Sequence, residues 1–68
     1  MKITFDKEAD AAYIYFKEIG EGEVSQTICL NDSINVDLDK DGRTLGIEIL
    51  DATHNLPSST LRTAEIIG

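Results

Sequence analysis

Residues 33–51 read S-I-N-V-D-L-D-K-D-G-R-T-L-G-I-E-I-L-D. Ile34, Val36 and Leu38 alternate on one side of a turn, and Leu45, Ile47 and Ile49 alternate on the other. Alternation marks a strand with one buried face, because successive side chains point to opposite sides of the pleat. Asp41-Gly42 supplies the turn, since glycine tolerates the positive φ that tight hairpins demand. Register tests this reading. A two-residue turn sets Lys40 opposite Arg43, so Leu38 meets Leu45, Val36 meets Ile47 and Ile34 meets Ile49. A four-residue loop over 39–42 keeps the same parity. A three-residue loop sets Leu38 against Thr44 and Val36 against Gly46, which buries the wrong face.

Working outward, residues 2–5 alternate with Ile3 and Phe5 on one face, and residues 6–10 form a polar loop. Ala12, Ile14 and Phe16 then share a face while Tyr13 and Tyr15 take the other. A helix competes for 8–17, but the run Tyr13-Ile14-Tyr15-Phe16 favours a strand. Setting Phe5 opposite Ala12 brings Ile3 opposite Ile14, so the first two strands agree. Gly20-Glu21-Gly22 marks a turn. A third strand runs over 24–30, with Val24, Ile28 and Leu30 inward and Gln26 as its polar member. A three-residue turn at 31–33 pairs Leu30 with Ile34 and Ile28 with Val36, and Asn31 and Asp32 suit such a turn.

Beyond Asp51 the pattern changes. Residues 52–55 read as polar connection, Leu56 is biased towards extended structure by Pro57, and Ser58 or Ser59 can cap a helix. Leu61, Ala64 and Ile67 recur at helical spacing, and Gly68 can end the helix. The expected fold is therefore α+β: one domain over 1–68, a five-stranded antiparallel meander with its first and fifth strands at the edges, and one short C-terminal helix across the apolar face.

Sixty-eight residues make one small domain. Such a domain buries only about 60% of its unfolded surface and is marginal alone, so association with itself or another small protein is expected. A net charge of −7 argues against nucleic acid, which needs clustered Lys and Arg, and suits a basic protein partner. The single cysteine, Cys29, cannot form an intramolecular disulfide, which points to a reducing cytoplasm. No apolar run approaches the roughly 20 residues of a membrane span, and the first residues lack the apolar stretch of a signal peptide.

Asp37-x-Asp39-x-Asp41-Gly42, followed by Glu48, satisfies the spacing of a calcium-binding EF-hand loop. A calcium loop coils between two helices so that its oxygens converge on the ion. Alternation here makes Asp37 and Asp39 strand residues, about 6.7 Å apart along the strand, and neither flank is helical. The expectation is no metal site, no cofactor and no catalytic residue. The outward face is the candidate interface: Tyr13 beside Cys29, Asn35 and Glu48, and Tyr15 beside Thr27, Asp37 and Gly46. Leu50 lies on that same face, where a lone chain leaves it wet. Tyr13, Tyr15 and Leu50 are thus the candidate contact residues, since tyrosine offers apolar area with a polar tip. The bland alternative is a solvated face on which two tyrosines stabilise cross-strand pairs. Nearby acids leave Cys29 an inert strand residue, and His54 reads as a solvated loop histidine that could pair with Asp51. Ser58 and Ser59 lack a nucleophile elbow.

D-K-E-A-D-A-A-Y-I-Y over 6–15, followed by V-D-L-D-K-D-G-R-T-L-G-I-E-I-L-D-A over 36–52, resembles a family of short prokaryotic proteins known as domain of unknown function 2283. The resemblance covers nearly the whole chain. It implies a small antiparallel meander in a cytosolic prokaryotic protein and no catalytic residues. Some relatives look like the antitoxin half of small toxin–antitoxin pairs. The function expected is therefore a protein-interaction module, antitoxin-like and binding a basic partner, and not an enzyme. The alternatives are a structural homo-oligomer without a ligand, or a metal-binding or acid–base enzyme using the row from Asp37 to Glu48.

Overall fold

The computed structural model describes residues 1–68. Extended backbone forms where β-branched and aromatic residues alternate with polar ones. The strands are Lys2–Asp6 (β1), Ala11–Tyr15 (β2), Gln26–Cys29 (β3), Ile34–Leu38 (β4) and Thr44–Leu50 (β5). Two short helices follow, Ala52–Asn55 (α1) and Ser58–Thr63 (α2), and then a sixth strand, Glu65–Ile67 (β6). One six-stranded sheet results, in the order β3-β4-β5-β2-β1-β6.

The β4–β5 hairpin keeps two of its three apolar pairs, Val36 with Ile47 and Ile34 with Ile49. Its loop is the three-residue form. The Asp39 N–H donates to the Arg43 carbonyl at 2.9 Å, the Gly42 N–H donates to the Asp39 carbonyl at 3.0 Å, and Gly42 takes φ 82. Leu38 consequently meets Thr44 rather than Leu45. A bulge corrects the parity: the register shifts between Asp37 and Leu38, so Asp37 pairs with Gly46 and Leu45 is the extra residue. Leu45 is buried, and its carbonyl accepts the Phe16 N–H at 3.0 Å.

The β1–β2 and β3–β4 registers follow from apolar matching: Phe5 with Ala12, Ile3 with Ile14, and Ile28 with Val36. The simple meander does not hold. β2 pairs with β5, not β3, with Ile14 opposite Ile47 and Ala12 opposite Ile49. β5 is therefore central and β3 is an edge, the reverse of the expected order. Residues 16–25 provide the connection, and stepping past β5 and β4 requires roughly 15 Å at about 4.8 Å per strand, well within their reach.

The C-terminal expectation also needs correction. Residues 52–55 are helical rather than irregular, and α2 ends at Thr63, with Ala64 already extended. Residues 65–67 add β6 parallel to β1, Phe5 beside Ile66. Ile66 and Ile67 are β-branched, and the second edge of β1 offers a backbone ladder that a last helical turn would forgo. No hydroxyl caps α2; Pro57 occupies the cap position, and the expected cap from Ser58 or Ser59 does not form.

The route from β5 to β6 must pass over β2 and β1, which lays both helices across one face of that half of the sheet. Phe5, Ala12, Ile49 and Ala52 form the core, with Ile14, Ile34, Ile47, Leu56, Leu61 and Ala64 packed against it. β4 is partly buried throughout, with Ile34 against the core, but the cover stops short of β3, every residue of which is exposed. No helix is long and apolar enough to cross a membrane.

Candidate functional site

The face away from the helices carries two cross-strand rows. In one, Tyr13 lies opposite Glu48, Glu48 opposite Asn35, and Asn35 opposite Cys29. In the other, Tyr15 lies opposite Gly46, Gly46 opposite Asp37, and Asp37 opposite Thr27. The membership of both rows is as expected; their order across the sheet changes because β5 lies next to β2. That order matters chemically. The Tyr13 ring leans over Gly46, where any Cβ would collide with it, and its hydroxyl donates to Asp37 Oδ2 at 2.5 Å. Thr27 Oγ1 donates to the other Asp37 oxygen at 2.6 Å, and Asn35 Nδ2 donates to Glu48 Oε1 at 3.0 Å. Burial first, then the hydrogen bond and charge of Asp37, push the Tyr13 hydroxyl well above the ordinary phenol range.

Tyr13 and Tyr15 touch each other, ring centroids 4.5 Å apart and planes tilted by 51°. Lys2 Nζ sits 5.0 Å from the Tyr15 ring centre, within cation–π reach. Leu50 ends β5 on the same face and is exposed, its N–H given to the Ser33 carbonyl and its carbonyl taken by Asn55 Nδ2. The three candidate contact residues therefore share a face, but the Tyr13 hydroxyl is already engaged within the chain.

The EF-hand-like carboxylates are engaged separately. Asp37 serves Tyr13 and Thr27, and Glu48 serves Asn35. Asp39 accepts the main-chain N–H groups of Asp41 and Arg43, both at 2.9 Å, and the Arg43 guanidinium at 3.0 Å. Those contacts, the Arg43 N–H first, hold its carboxyl below the usual range. Asp41 pairs with Arg43 at 3.1 Å. No three His, Cys, Asp or Glu side chains come together in a way that could hold a metal ion.

Asp6, Asp10 and Asp51 build turns. Asp6 Oδ1 accepts the N–H groups of Glu8 and Ala9. Asp10 and Asp51 both adopt the left-handed region at φ 52, a conformation Asp tolerates better than most residues, and the Asp10 carbonyl accepts the Ala52 N–H at 3.0 Å. Ala12 and Ala52, small and almost wholly buried, let this corner close. The Cys29 thiol is exposed and donates to the Asn31 carbonyl at 3.1 Å. His54 lies in α1 and makes no ion pair with Asp51.

The opposite face holds the feature that counting along the sequence does not disclose. Phe16 is 44% exposed, Val24 40%, Ile28 42% and Leu30 65%. These residues belong to the apolar set that the hairpin parity assigns inward, yet the helices stop short of them. Phe16 sits just past β2 against Leu45, whereas Val24, Ile28 and Leu30 lie on or beside β3, and only the edge position of β3, outside the helical cover, reveals that they are open.

No curated protein and no solved structure matches the chain. The sequence model of the family described as Protein of unknown function (DUF2283) matches residues 2–52, the span containing the Asp6 and Asp10 turns, the tyrosine face and the bulged hairpin. The chain belongs to that family.

Proposed function

We propose that this chain is a protein-interaction module, not an enzyme, and that it associates through the β3–β4 half of its sheet. The observation that carries this reading is the uncovered apolar set around Ile28 and Leu30, on a molecule whose buried apolar residues are only Phe5, Ala12, Leu45, Ile49 and Ala52. Apolar patches of this kind on small domains mark interaction surfaces. The outer face is a weaker candidate, because its polar groups are largely satisfied within the chain. The exposed Cys29 suits a reducing cytoplasm, where it stays a thiol.

A basic protein partner, of the kind an antitoxin has in its toxin, draws support from the net charge of −7 and from Glu18, Glu21 and Asp32, which are exposed and free of ion pairs. Such binding would weaken steeply with added salt. The test is a photo-crosslinking residue placed at position 28 in the living host. A covalent adduct to any protein chain, lost when the crosslinker is moved to position 7 on the far side of the sheet, supports the reading. Absence of an adduct at position 28, with the protein folded, overturns it.

A further inference from the structure

Resting on that reading, the structure assigns the partner: we infer that β3 pairs antiparallel with β3 of a second copy of this chain, around a twofold axis at Ile28.

The backbone is the first argument. The Leu30 N–H donates to the Ile34 carbonyl at 2.8 Å, towards β4. Main-chain groups alternate sides along a strand, so those of Thr27 and Cys29 point away from β4, into the open. β3 has no strand beyond it. Natural edges are usually protected by Lys, Pro, a bulge or an inward charge. Residues 24–30, V-S-Q-T-I-C-L, contain no charge and no proline.

The second argument selects the occupant. Residues 24–30 carry no charge of their own, so a second copy meets no like charge along the strand, while the free acids that would draw a basic partner, Glu18, Glu21 and Asp32, lie outside it. The net charge of −7 on each copy acts from further away and is screened over about 8 Å at physiological salt. Register then fixes the arrangement. With the axis at Ile28, Thr27 of each copy faces Cys29 of the other, and both residues exchange their free N–H and carbonyl groups. Residues opposite one another share a face, so Ile28 meets Ile28 on the open apolar side, and Gln26 meets Leu30 there. The two uncovered halves become one continuous surface across the junction. An isologous contact of this kind closes on itself and stops at two copies.

Area sets the strength. A durable interface buries about 800 Å² per partner, roughly a sixth of the 4609 Å² of this chain. One short edge supplies less, so the dimer forms and dissociates with concentration, and it tightens as salt screens the like net charges.

Sedimentation equilibrium over a concentration series tests the inference. Ile28→Lys and Ile28→Glu each set like charges face to face on a side chain already 42% exposed, leaving the fold intact by circular dichroism. Each alone is expected to weaken self-association about tenfold or more, and an equimolar mixture to restore it, because only a twofold at position 28 brings Lys against Glu. Thr27→Cys adds a second readout. Opposite residues of such a pair have Cα atoms about 5.5 Å apart, within disulfide range. The thiol introduced at position 27 of one copy and the native Cys29 of the other should therefore crosslink on mild oxidation far faster than wild type does. A monomeric wild type, or a dimer that the mixture does not restore, overturns the inference. A monomer that still forms an adduct with a different protein at position 28 overturns the twofold pairing and leaves the interaction reading standing.

Discussion

Asp10 and Thr53, separated by 43 residues of sequence, are joined twice: one carboxylate oxygen accepts the Thr53 N–H at 3.1 Å and the other accepts its hydroxyl at 2.8 Å. The clip fastens the start of β2 to the helix that follows β5, and so holds together the two strands whose pairing departs from a simple meander. Asp10→Ala removes both bonds and leaves a Cβ residue without local support at φ 52. The expected loss is about 2 kcal/mol, from the hydrogen bonds and the left-handed backbone together. Asp10→Asn tolerates the backbone and keeps an acceptor, so it should lose less than half as much. Urea unfolding midpoints at constant slope would measure both.

Gly46→Ala tests the contact under Tyr13. The added Cβ falls inside the ring, so the ring must move and release Asp37. Destabilisation of about 1–3 kcal/mol is expected. In a Tyr13→Ala background the same change should cost almost nothing, and the double-mutant cycle isolates the coupling. Equal costs in both backgrounds would show that the ring does not confine Gly46.

Alkali should act through Tyr13. Its folded-state pKa is raised above that of the unfolded chain, so the folded protein holds the proton more tightly. That contribution is fully present below pH 10, the ordinary phenol value, and is lost as pH rises above it. In Tyr15→Phe, where Tyr13 is the sole tyrosine, absorbance at 295 nm should remain flat through pH 10 and rise together with loss of the far-ultraviolet signal. A rise at pH 10 with the fold intact would contradict it.

Acid should act on the β4–β5 loop. The Asp39 carboxyl is lowered by the Arg43 N–H foremost, and a lowered pKa stabilises above the unfolded value and is lost as pH falls through the folded one. Carboxyl chemical shifts should show Asp39 ionised below pH about 4, where an unperturbed aspartate is half protonated. Asp39→Asn should flatten the acid limb of loop amide shifts. The aspartate-like titration of an unperturbed peptide at Asp39 would rule this out.

Apolar matching was enough to place five strands and three pairs of neighbours, because a one-residue slip would turn Ile3, Ile28 or Ile47 to the wrong face. It could not choose a neighbour for β2. Ile28 and Ile47 offer Ile14 equivalent partners of equal parity, and what separates them is tertiary: Gly46 accepting the Tyr13 ring, and Thr53 held by Asp10. The bulge at Leu45 was hidden for a related reason, since an extra residue in the strand cancels an odd residue in the loop. β6 was hidden because Leu61, Ala64 and Ile67 keep helical spacing across a boundary that the free edge of β1 decides. The tyrosine face was readable as a set of residues, but the open apolar half depends on strand order.

The place of β5 in the sheet also sets the order in which the molecule can form. β3, β4 and β5 can zip up as neighbours in sequence, and β1 with β2 makes a second local hairpin. Neither piece buries Ala12 or Ile49 until the β2–β5 seam joins them, and that seam links residues as far apart as Ala11 and Leu50. The entropy of closing that loop comes before most of the apolar reward, so seam closure should limit the folding rate. Substitutions at Ile14 or Ile47, whose contacts form as the seam closes, should slow refolding.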